Sequence, residues 1–358
     1  MNAELLPFWP GSPTAPMNNN QHIDKRSARS LPAEGDQGLY SQTWYPICLS
    51  TELGENEIVG REFLGGRVIA FRDANGDVSV TSAFCAHLGV DLQCASLVDG
   101  LVRCPYHHFY YDGSGKAVKI GNGENPPPGA RLYRYPTQEK YGVVFAFNGS
   151  EPLFDVPGFA VPDDELAVHA FKTPMVFAVD PWVIISQTPD MNHTQFLHGP
   201  EFAPDFEVPP MTFGDYSGHY SVDEDIYFDS TGVFKELHAT VFGTNIVRVE
   251  SIINNMWTGG TASLVSLGPE ACECYGINAV RKADVPEQTP QAYQQVLDSI
   301  KAMNLQIMSE DQSVYQNIRF VQGTLLEIDA GLAQYLDYLR EYPRANPGRE
   351  FINGEGSA

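Results

Sequence analysis

The sequence predicts an α+β fold in two domains, an N-terminal all-β domain and a C-terminal domain with a large antiparallel sheet flanked by helices. Short apolar or alternating runs, separated by turn signals, fill the chain from residue 41 to about 150. Alternating runs return between residues 215 and 281, which indicates a second and larger sheet. Thr289-Pro290 then opens a long helix that we expect to continue through Phe320.

The length of 358 residues allows two domains. The first forty residues are rich in Pro, Asn, Ser and Gly without periodicity, which is typical of a mobile segment. A Pro-rich junction over 151–162 separates the two regions of alternating sequence. We therefore expect a flexible arm over 1–40, an all-β domain over 41–150, a second domain over 151–340 and a C-terminal tail over 341–358.

The charge of the chain excludes several classes of partner. With 22 basic and 45 acidic residues, the formal net charge is −23, so neither nucleic acid nor an anionic membrane surface is an expected partner. A basic redox partner would fit this charge.

The N-terminus lacks the basic and apolar regions of a secretory signal, and no run approaches eighteen apolar residues. We expect a soluble, cytoplasmic protein.

Turn dipeptides divide the first domain into strands. Asn-Gly and Asp-Gly pairs between alternating runs are strong hairpin signals. They occur at residues 75–76, 99–100 and 112–113, and the clearest strands are expected at 67–71, 78–81 and 142–147.

Two short motifs in this domain combine cysteine with histidine. The chain reads Cys85-Ala-His87 and, after sixteen residues, Cys104-Pro-Tyr-His107. A Rieske [2Fe-2S] cluster needs two thiolates on one iron and two imidazoles on the other, and two loops of this kind supply them. A structural zinc site also accepts two Cys and two His, but zinc fingers usually keep like ligands together. The mixed pairs favour the Rieske cluster.

The other Cys and His residues show no such pattern. Cys272 and Cys274 have a single residue between them and no partner pair, so we predict strand residues rather than metal ligands. Nothing in the cysteine spacing suggests a disulfide framework. The histidines without ligand-like spacing are His22, His108, His169, His219 and His238, of which His108 directly follows a predicted ligand.

The second domain carries a histidine pair in a predicted helix. Thr188 is the expected N-cap and Pro189 the first helical residue, with Asp190 in the first turn. His193 and His198 are five residues apart, about 140° round an ideal helix. If both imidazoles share a metal, the helix must end or bend before Gly199-Pro200.

The long helix places an acid in an apolar stripe. Asp311 comes eleven residues after Ile300 and so lies about 20° from it round the helix, whereas Glu310 projects to the edge of the stripe. A carboxylate directed into a core is costly unless it is paired or binds a metal. An ion pair with a buried cation, or a cap at a local break, is the alternative to a metal. The stripe consists of Tyr293, Val296, Leu297, Ile300, Met303, Ile307, Met308, Val314, Tyr315 and Ile318.

Two histidines and a carboxylate form the facial triad of non-heme Fe(II) oxygenases. The pattern D-x2-H-x4-H over 190–198, followed much later by Asp311 in a helix, resembles the Rieske non-heme iron oxygenases over roughly residues 41–320. The runs 104–113 and 311–317 are similar to a subgroup with aminopyrrolnitrin oxygenase, ketosteroid hydroxylase oxygenase components and cholesterol desaturases. Gln187 stands where the family usually has Asn, and Phe109 where it commonly has Trp.

The resemblance implies an oxygenase component with a helix-grip, START-like catalytic domain. Cys85, His87, Cys104 and His107 would bind the cluster, and His193, His198 and Asp311 the mononuclear Fe(II). It also implies a homotrimer, in which Asp190 links an iron histidine to a cluster histidine of the next subunit.

For the reaction, the resemblance implies electrons that come from NAD(P)H through a ferredoxin or flavin reductase. They would pass through the cluster to the Fe(II), which activates O₂ as co-substrate when substrate is bound. Hydroxylation, desaturation, demethylation or N-oxygenation of a hydrophobic small molecule is the implied monooxygenase or dioxygenase chemistry.

Two rival hypotheses remain open on the sequence. A Rieske electron carrier would lack catalysis of its own and would not need a second domain or a buried Asp311. A zinc-stabilised binding module would contain no cluster. The candidate substrate-pocket residues are Trp182, Phe196, Phe202 and Phe242.

Overall fold

Short antiparallel strands build the N-terminal half, as the alternating runs predict. A computed structural model describes residues 31–199, 209–223, 225–228, 232–268, 270–318 and 325–354, which belong to one compact unit. Most of the predicted arm, 1–30, lies outside the described residues. The strands are β1 Tyr40–Ser41, β2 Trp44–Leu49, β3 Ile58–Phe63, β4 Gly66–Arg72, β5 Val78–Ser82, β6 Ser96–Val98, β7 Leu101–Arg103, β8 Tyr110–Tyr111, β9 Ala117–Lys119, β10 Arg134–Tyr135, β11 Thr137–Lys140 and β12 Val143–Phe147.

All of these strands except β1 pair into three small antiparallel sheets, with the orders β10-β5-β4-β3, β11-β12-β2 and β6-β7-β8-β9. The predicted turns connect them. At Asp99-Gly100 both residues have positive φ, +53° and +73°, which is the geometry of a tight hairpin between β6 and β7. The sheet that contains β7 and β8 carries the second Cys-His motif in the connection between those two strands.

One large antiparallel sheet forms the C-terminal half, again as predicted. Its order is β13-β20-β19-β18-β17-β15-β14, and β16 pairs with β17 off this path. The first of its strands follows the Pro-rich junction and was missed by the sequence analysis. The strands are β13 Leu166–Phe177, β14 Thr212–Phe213, β15 Ser217–Val222, β16 Ile226–Phe228, β17 Gly232–Phe242, β18 Ile246–Ile253, β19 Met256–Gly268 and β20 Ala271–Arg281.

The large sheet lies between the N-terminal sheets and the helices. Along β20, Tyr275 and Ile277 pack into the core shared with β2, and the Tyr275 hydroxyl donates to the Ile47 carbonyl at 3.2 Å. Cys272 and Cys274 face the other core, which contains Tyr315 and helical residues further along the chain. Both cysteines are therefore buried strand residues, as predicted. The helices are α1 Pro181–Ile185, α2 Met191–Leu197, α3 Pro290–Tyr315, α4 Ala330–Glu341 and α5 Arg349–Ile352.

Short 3-10 helices and the last residues complete the fold. After α4, strand β21 Arg344–Ala345 pairs with β1, and α5 buries Ile352 in the core of the N-terminal half. Among the described residues, no helix is long and apolar enough to cross a bilayer. The 3-10 helices are Asp36–Gly38, Ser50–Glu52, Leu92–Cys94, Asp163–Glu165, Lys282–Asp284 and Glu327–Asp329.

The start of α2 differs from the prediction. Asp190, not Thr188, is the N-cap, and its Oδ1 accepts from the His193 amide at 3.3 Å. Thr188 instead closes a turn from the end of α1, where its amide donates to the Ile185 carbonyl. Asp is a stronger N-cap than Thr, which accounts for the later start. The end agrees with the prediction, since α2 stops at Leu197 and Gly199 has φ +73°.

The long helix keeps its predicted start but not its full length. Thr289 caps it by accepting from the Ala292 amide at 3.2 Å. It ends at Tyr315, because the amides of Asn317 and Ile318 bond to carbonyls three residues back rather than four. The predicted end, Phe320, lies outside the described residues. Two members of the predicted stripe, Val314 and Ile318, are exposed, at 40% and 44%.

Candidate functional sites

Two loops with the same backbone closure present the Cys-His motifs. In each, the cysteine amide donates to the carbonyl five residues on, Val90 for Cys85 and Phe109 for Cys104, both at 2.9 Å. The residue four positions on then donates back to the cysteine carbonyl. That residue is Gly89 in one loop and His108 in the other, and both have positive φ, +70° and +54°. A left-handed residue is thus built into each loop, although only one of them is glycine.

The loops separate the thiols from the imidazoles. Cys85 and Cys104 are buried, at 3% and 1% exposure, whereas His87 and His107 are exposed. The two imidazole rings lie 4.6 Å apart between centroids. Burial raises the pKa of the Cys104 thiol. Hydrogen bonds from the backbone of Tyr106 and His107 lower this pKa and Cys85 raises it, so the net direction is upward. Two buried thiols beside two exposed imidazoles are the donor set that a Rieske cluster requires.

Two aromatic residues support this donor set. Phe109, at the position where a Trp is common, stacks on the His87 ring with centroids 4.9 Å apart and fixes its plane. The Tyr111 hydroxyl lies 3.1 Å from Cys85 Sγ and accepts from the Ala86 amide at 3.0 Å. Because the Ala86 amide donates to the Tyr111 hydroxyl oxygen, the hydroxyl proton is directed to Cys85 Sγ. Burial, then Cys85, raises the pKa of Tyr111, so the hydroxyl keeps that proton.

The predicted mononuclear metal ligands converge between α2 and α3. Ligand atoms of His193, His198 and Asp311 all lie within 4.8 Å of one another. The side chains of His198 and Asp311 are buried, at 5% and 7% exposure, and their facing atoms Nε2 and Oδ1 are 3.0 Å apart. His193 lies in α2 and His198 directly follows its last residue, and the two imidazole rings are 5.6 Å apart between centroids.

Hydrogen bonding leaves both imidazoles with a lone pair directed at this centre. His198 Nδ1 donates to Glu310 Oε2 at 2.8 Å, and His193 Nδ1 donates to the Asp190 carbonyl. With the proton on Nδ1, each Nε2 is an acceptor. Asp311 Oδ1 is likewise buried without a hydrogen-bond donor among the described residues. Acceptors that face one another in a buried site fit a bound cation.

Ionisation of the site agrees with this interpretation. Burial lowers the pKa of His198, but Asp311 and Glu310 outweigh it, so the net direction is upward. The hydrogen bond from His198 lowers the pKa of Glu310. A proton on His198 and a divalent cation therefore compete for the same acceptors, and metal binding would release that proton.

Glu310 has a closer relation to the site than the sequence suggested. From helical spacing it was placed only at the edge of the apolar stripe. Its side chain is 37% exposed, yet it holds the outer nitrogen of a metal-ligand candidate. A carboxylate behind a ligating histidine fixes the tautomer and orientation of the ring. The pair of adjacent acids at 310 and 311 was the available signal, because side chains about 100° apart on a helix can approach one group from two sides.

A mainly apolar cavity of about 300 Å³ opens beside the three ligand candidates. None of the described pocket candidates lines it. Phe196 is 85% exposed, Trp182 lines a different cavity near Glu34 and Asp180, and Phe242 lines a groove on β17 and β18. Phe202 lies outside the described residues. The apolar side chains of the lining come from the sheet and the helices, among them Phe171, Phe177, Ile184, Val247, Val249 and Ile307.

Comparison with known proteins matches the first of these sites to a family. The model of the Rieske [2Fe-2S] domain matches residues 43–136, which include both Cys-His loops. Residues 43–136 thus form a Rieske [2Fe-2S] domain, and the chain is similar to several oxygenases. Its fold is similar to that of NdmA from Pseudomonas putida with caffeine, whose structure aligns over 84% of this chain and 90% of NdmA, with a TM-score of 0.67 and 18% identity.

Curated relatives match this chain over about half of its length. Aminopyrrolnitrin oxygenase PrnD of Pseudomonas fluorescens is 32% identical over 174 residues, 43% of this chain and 47% of the relative. The oxygenase component of 3-ketosteroid-9-alpha-monooxygenase from Rhodococcus rhodochrous is 27% identical over 165 residues, 44% of this chain and 43% of the relative. The match thus spans less than half of each relative.

Proposed function

We propose that this chain is the terminal oxygenase component of a Rieske oxygenase system that oxidises a hydrophobic small molecule with O₂. The observation that carries the proposal is the presence of two donor sets of different chemistry in one chain. Buried thiols with exposed imidazoles suit a cluster, and two imidazoles with a carboxylate suit an iron with open positions. An electron carrier without oxygenase chemistry would have no use for the second set.

Cys85, His87, Cys104 and His107 would hold the [2Fe-2S] cluster, and His193, His198 and Asp311 the Fe(II). When bound, the cluster supplies single electrons and the Fe(II) supplies O₂ activation. The residues of the chain do the rest. Glu310 and the Asp190 carbonyl keep the Nδ1 protons, so that both imidazoles present Nε2 to the metal. Phe171, Phe177 and other apolar side chains exclude water from the cavity where substrate would lie.

The electron donor is proposed to be a ferredoxin or flavin reductase that draws on NAD(P)H. The acidic balance of the chain, with a formal net charge of −23, would attract a basic partner. The cluster imidazoles stand at an accessible tip, where Leu88 and Tyr106 are both 63% exposed. A tip with exposed apolar side chains suits contact with another protein surface, which in the assembly proposed next is a neighbouring subunit.

A homotrimer is proposed as the assembly, with Asp190 as the link between subunits. Phe196, which is 85% exposed, lies in α2 between the two iron-site histidines. In the proposed assembly this side chain packs against the apolar cluster tip of the next subunit, a head-to-tail contact that gives a ring when its rotation closes. The proposed domain boundaries at 40, 150 and 340 and the cytoplasmic location stay predictions.

The test is the binding of nitric oxide to the Fe(II)-reconstituted, reduced protein, followed by electron paramagnetic resonance. A non-heme Fe(II) with an open position gives a high-spin nitrosyl signal, and we expect about one such signal per chain in the wild type. His193→Ala should lose this signal and retain the signal of the reduced cluster. A wild type with the cluster signal alone would establish an electron carrier and contradict the proposal.

A further inference from the structure

The face of the large sheet that meets α3 is lined by small residues. In the register of β19 and β20, Gly260 is opposite Asn278, and Ala262 is opposite Gly276. A Cβ at Gly276 would lie 2.5 Å from the Phe171 ring, so no larger residue fits there. The missing side chains leave the space between the sheet and α3 that forms the cavity beside the iron-site candidates.

One polar group interrupts this apolar lining. Asn278 is 1% exposed, and its Oδ1 accepts a hydrogen bond from Asn304 Nδ2 at 2.9 Å. Its own Nδ2 is buried with no acceptor in the described part of the chain. The amide pair lies over Gly260, where a Cβ would be 3.8 Å from Asn278 Oδ1 and 3.9 Å from Asn304 Nδ2. A buried donor without an acceptor is unfavourable, unless a ligand supplies the acceptor.

The amide pair is set apart from the metal-ligand candidates. Asn304 and Asp311 are both on α3, seven residues apart, which corresponds to about 10 Å along the helix axis. Both residues line the same cavity. A molecule that fills the cavity can therefore place one end at the amide and the other near the iron-site histidines.

We propose that Asn278 Nδ2 is the anchor for a hydrogen-bond acceptor of the substrate, such as a carbonyl oxygen. The remainder of that molecule would be apolar and compact, with one or two rings, because a cavity of about 300 Å³ is at the small end of the range for ligand sites. Asn304 is the positioning residue, since its hydrogen bond to Oδ1 holds the orientation of the Asn278 amide. The inference rests on the proposed function in taking this cavity as the substrate site.

The experiment compares 1-indanone with indane, which share a bicyclic carbon skeleton and differ by one carbonyl oxygen. Binding to the iron-loaded protein is measured by calorimetry without O₂, so that no turnover is required. We expect 1-indanone to bind wild type about tenfold more tightly than indane, because its carbonyl satisfies the buried donor. Asn278→Leu should remove this preference and leave the affinity for indane within about threefold.

Two further variants separate the loss of the Asn278 donor from a general effect of substitution on folding. Asn278→Asp keeps the shape of the side chain but replaces the donor with an acceptor, and it should bind 1-indanone more weakly than wild type does. Asn122→Leu, in an exposed loop, is the matched control and should keep the preference. Equal affinity of wild type for the two probes, an unchanged preference in Asn278→Asp, or no binding of either probe would overturn the inference.

The outcome is separable from that of the proposed function. A preference for 1-indanone that depends on Asn278, together with no nitrosyl signal, would support the subsite and reject the oxygenase. A nitrosyl signal with equal affinity for 1-indanone and indane would support the oxygenase and reject the subsite.

Discussion

The outer nitrogen of His198 is hydrogen bonded to Glu310, with 2.8 Å between Nδ1 and Oε2, while its inner nitrogen faces Asp311 at 3.0 Å. Two adjacent acids on one helix thus hold the two sides of one imidazole. Glu310 sets the tautomer, and Asp311 is the proposed metal ligand. The arrangement separates an orienting carboxylate from a proposed ligand and predicts different consequences for their removal.

Glu310→Ala is expected to weaken Fe(II) binding about 10- to 100-fold, because His198 loses the acceptor that orients it. Asp311→Ala should abolish mononuclear iron binding and turnover, because it removes a ligand. Both variants should retain the cluster spectrum, since the Cys-His loops lie elsewhere. Ser309→Ala, an exposed neighbour on α3, serves as control. Fe(II) titration compares the affinities of the two variants. Weaker Fe(II) binding in Glu310→Ala than in Asp311→Ala would reverse the roles proposed for the two carboxylates.

Asp190→Asn is expected to keep both metal sites but slow the transfer of electrons between them. Asn is as good an N-cap as Asp, so α2 and the position of His193 should be preserved. The negative charge proposed to link two histidines would be lost. Stopped-flow oxidation of the reduced cluster by O₂ in the presence of substrate measures the effect. Oxidation at the wild-type rate would show that Asp190 is only a helix cap.

His108→Gly is expected to raise the free energy of unfolding by a few tenths to about 1 kcal/mol. The backbone of His108 is in the left-handed conformation, with φ +54°, which costs an L-residue about 1–2 kcal/mol and glycine little. Glycine loses more backbone entropy on folding, so only part of that gain remains.

The equivalent position of the other loop provides the matched control for this change. Gly89 has φ +70° and no atom within 4 Å of an added Cβ, so Gly89→Ala should destabilise through backbone strain alone. Thermal unfolding followed by the visible absorbance of the cluster compares the two variants. A destabilised His108→Gly would mean that the imidazole contributes a contact that exceeds the strain.

Asp180 is expected to make stability depend on pH. Burial first, and then the charge of Glu34, raise the pKa of this carboxyl from 3.8 to about 7. The folded state therefore binds the proton more tightly than the unfolded chain does, and the penalty for ionisation grows as pH rises between about 4 and 7. From pH 5 to pH 8 the loss of stability from this group is roughly 2 to 3 kcal/mol.

Asp180→Asn should remove that loss. Urea unfolding of both proteins at pH 5 and pH 8 gives the comparison, and the variant should lose less stability across the interval. The substitution also changes a helix cap, because Asp180 accepts from the amides of Trp182 at 3.4 Å and Glu34 at 2.7 Å. A cap effect would appear equally at both pH values. A parallel pH dependence in the two proteins would contradict the raised pKa.

Local spacing predicted the ligand candidates because each depends on a few neighbouring residues. The C-x-H and C-x-x-H pairs require tight loops, and the 3.6-residue period places Asp311 in an apolar stripe without any knowledge of what packs on it. The end of α2 before Gly199 was expected on the condition that the two histidines share a metal. These inferences use short-range geometry.

Features that depend on distant residues were missed. Strand β13 has only partial alternation, and it is defined by its register with β20, which runs from Leu166 opposite Arg281 to Phe177 opposite Cys272, far along the chain. The pairing of Asn278 with Asn304 depends on the distance between a strand and a helix, which no local pattern contains. Glu310 was underrated for a related reason. Its partner His198 is 112 residues away, so helical position alone could not show what it touches.

The most direct test of the central claim is the ratio of iron to acid-labile sulfide in protein purified without O₂ and reconstituted with Fe(II), measured beside its visible spectrum. A cluster and a mononuclear site in one chain predict about three irons and two sulfides. About two irons and two sulfides would leave an electron carrier without an iron at His193, His198 and Asp311. Zinc without sulfide would contradict the cluster itself.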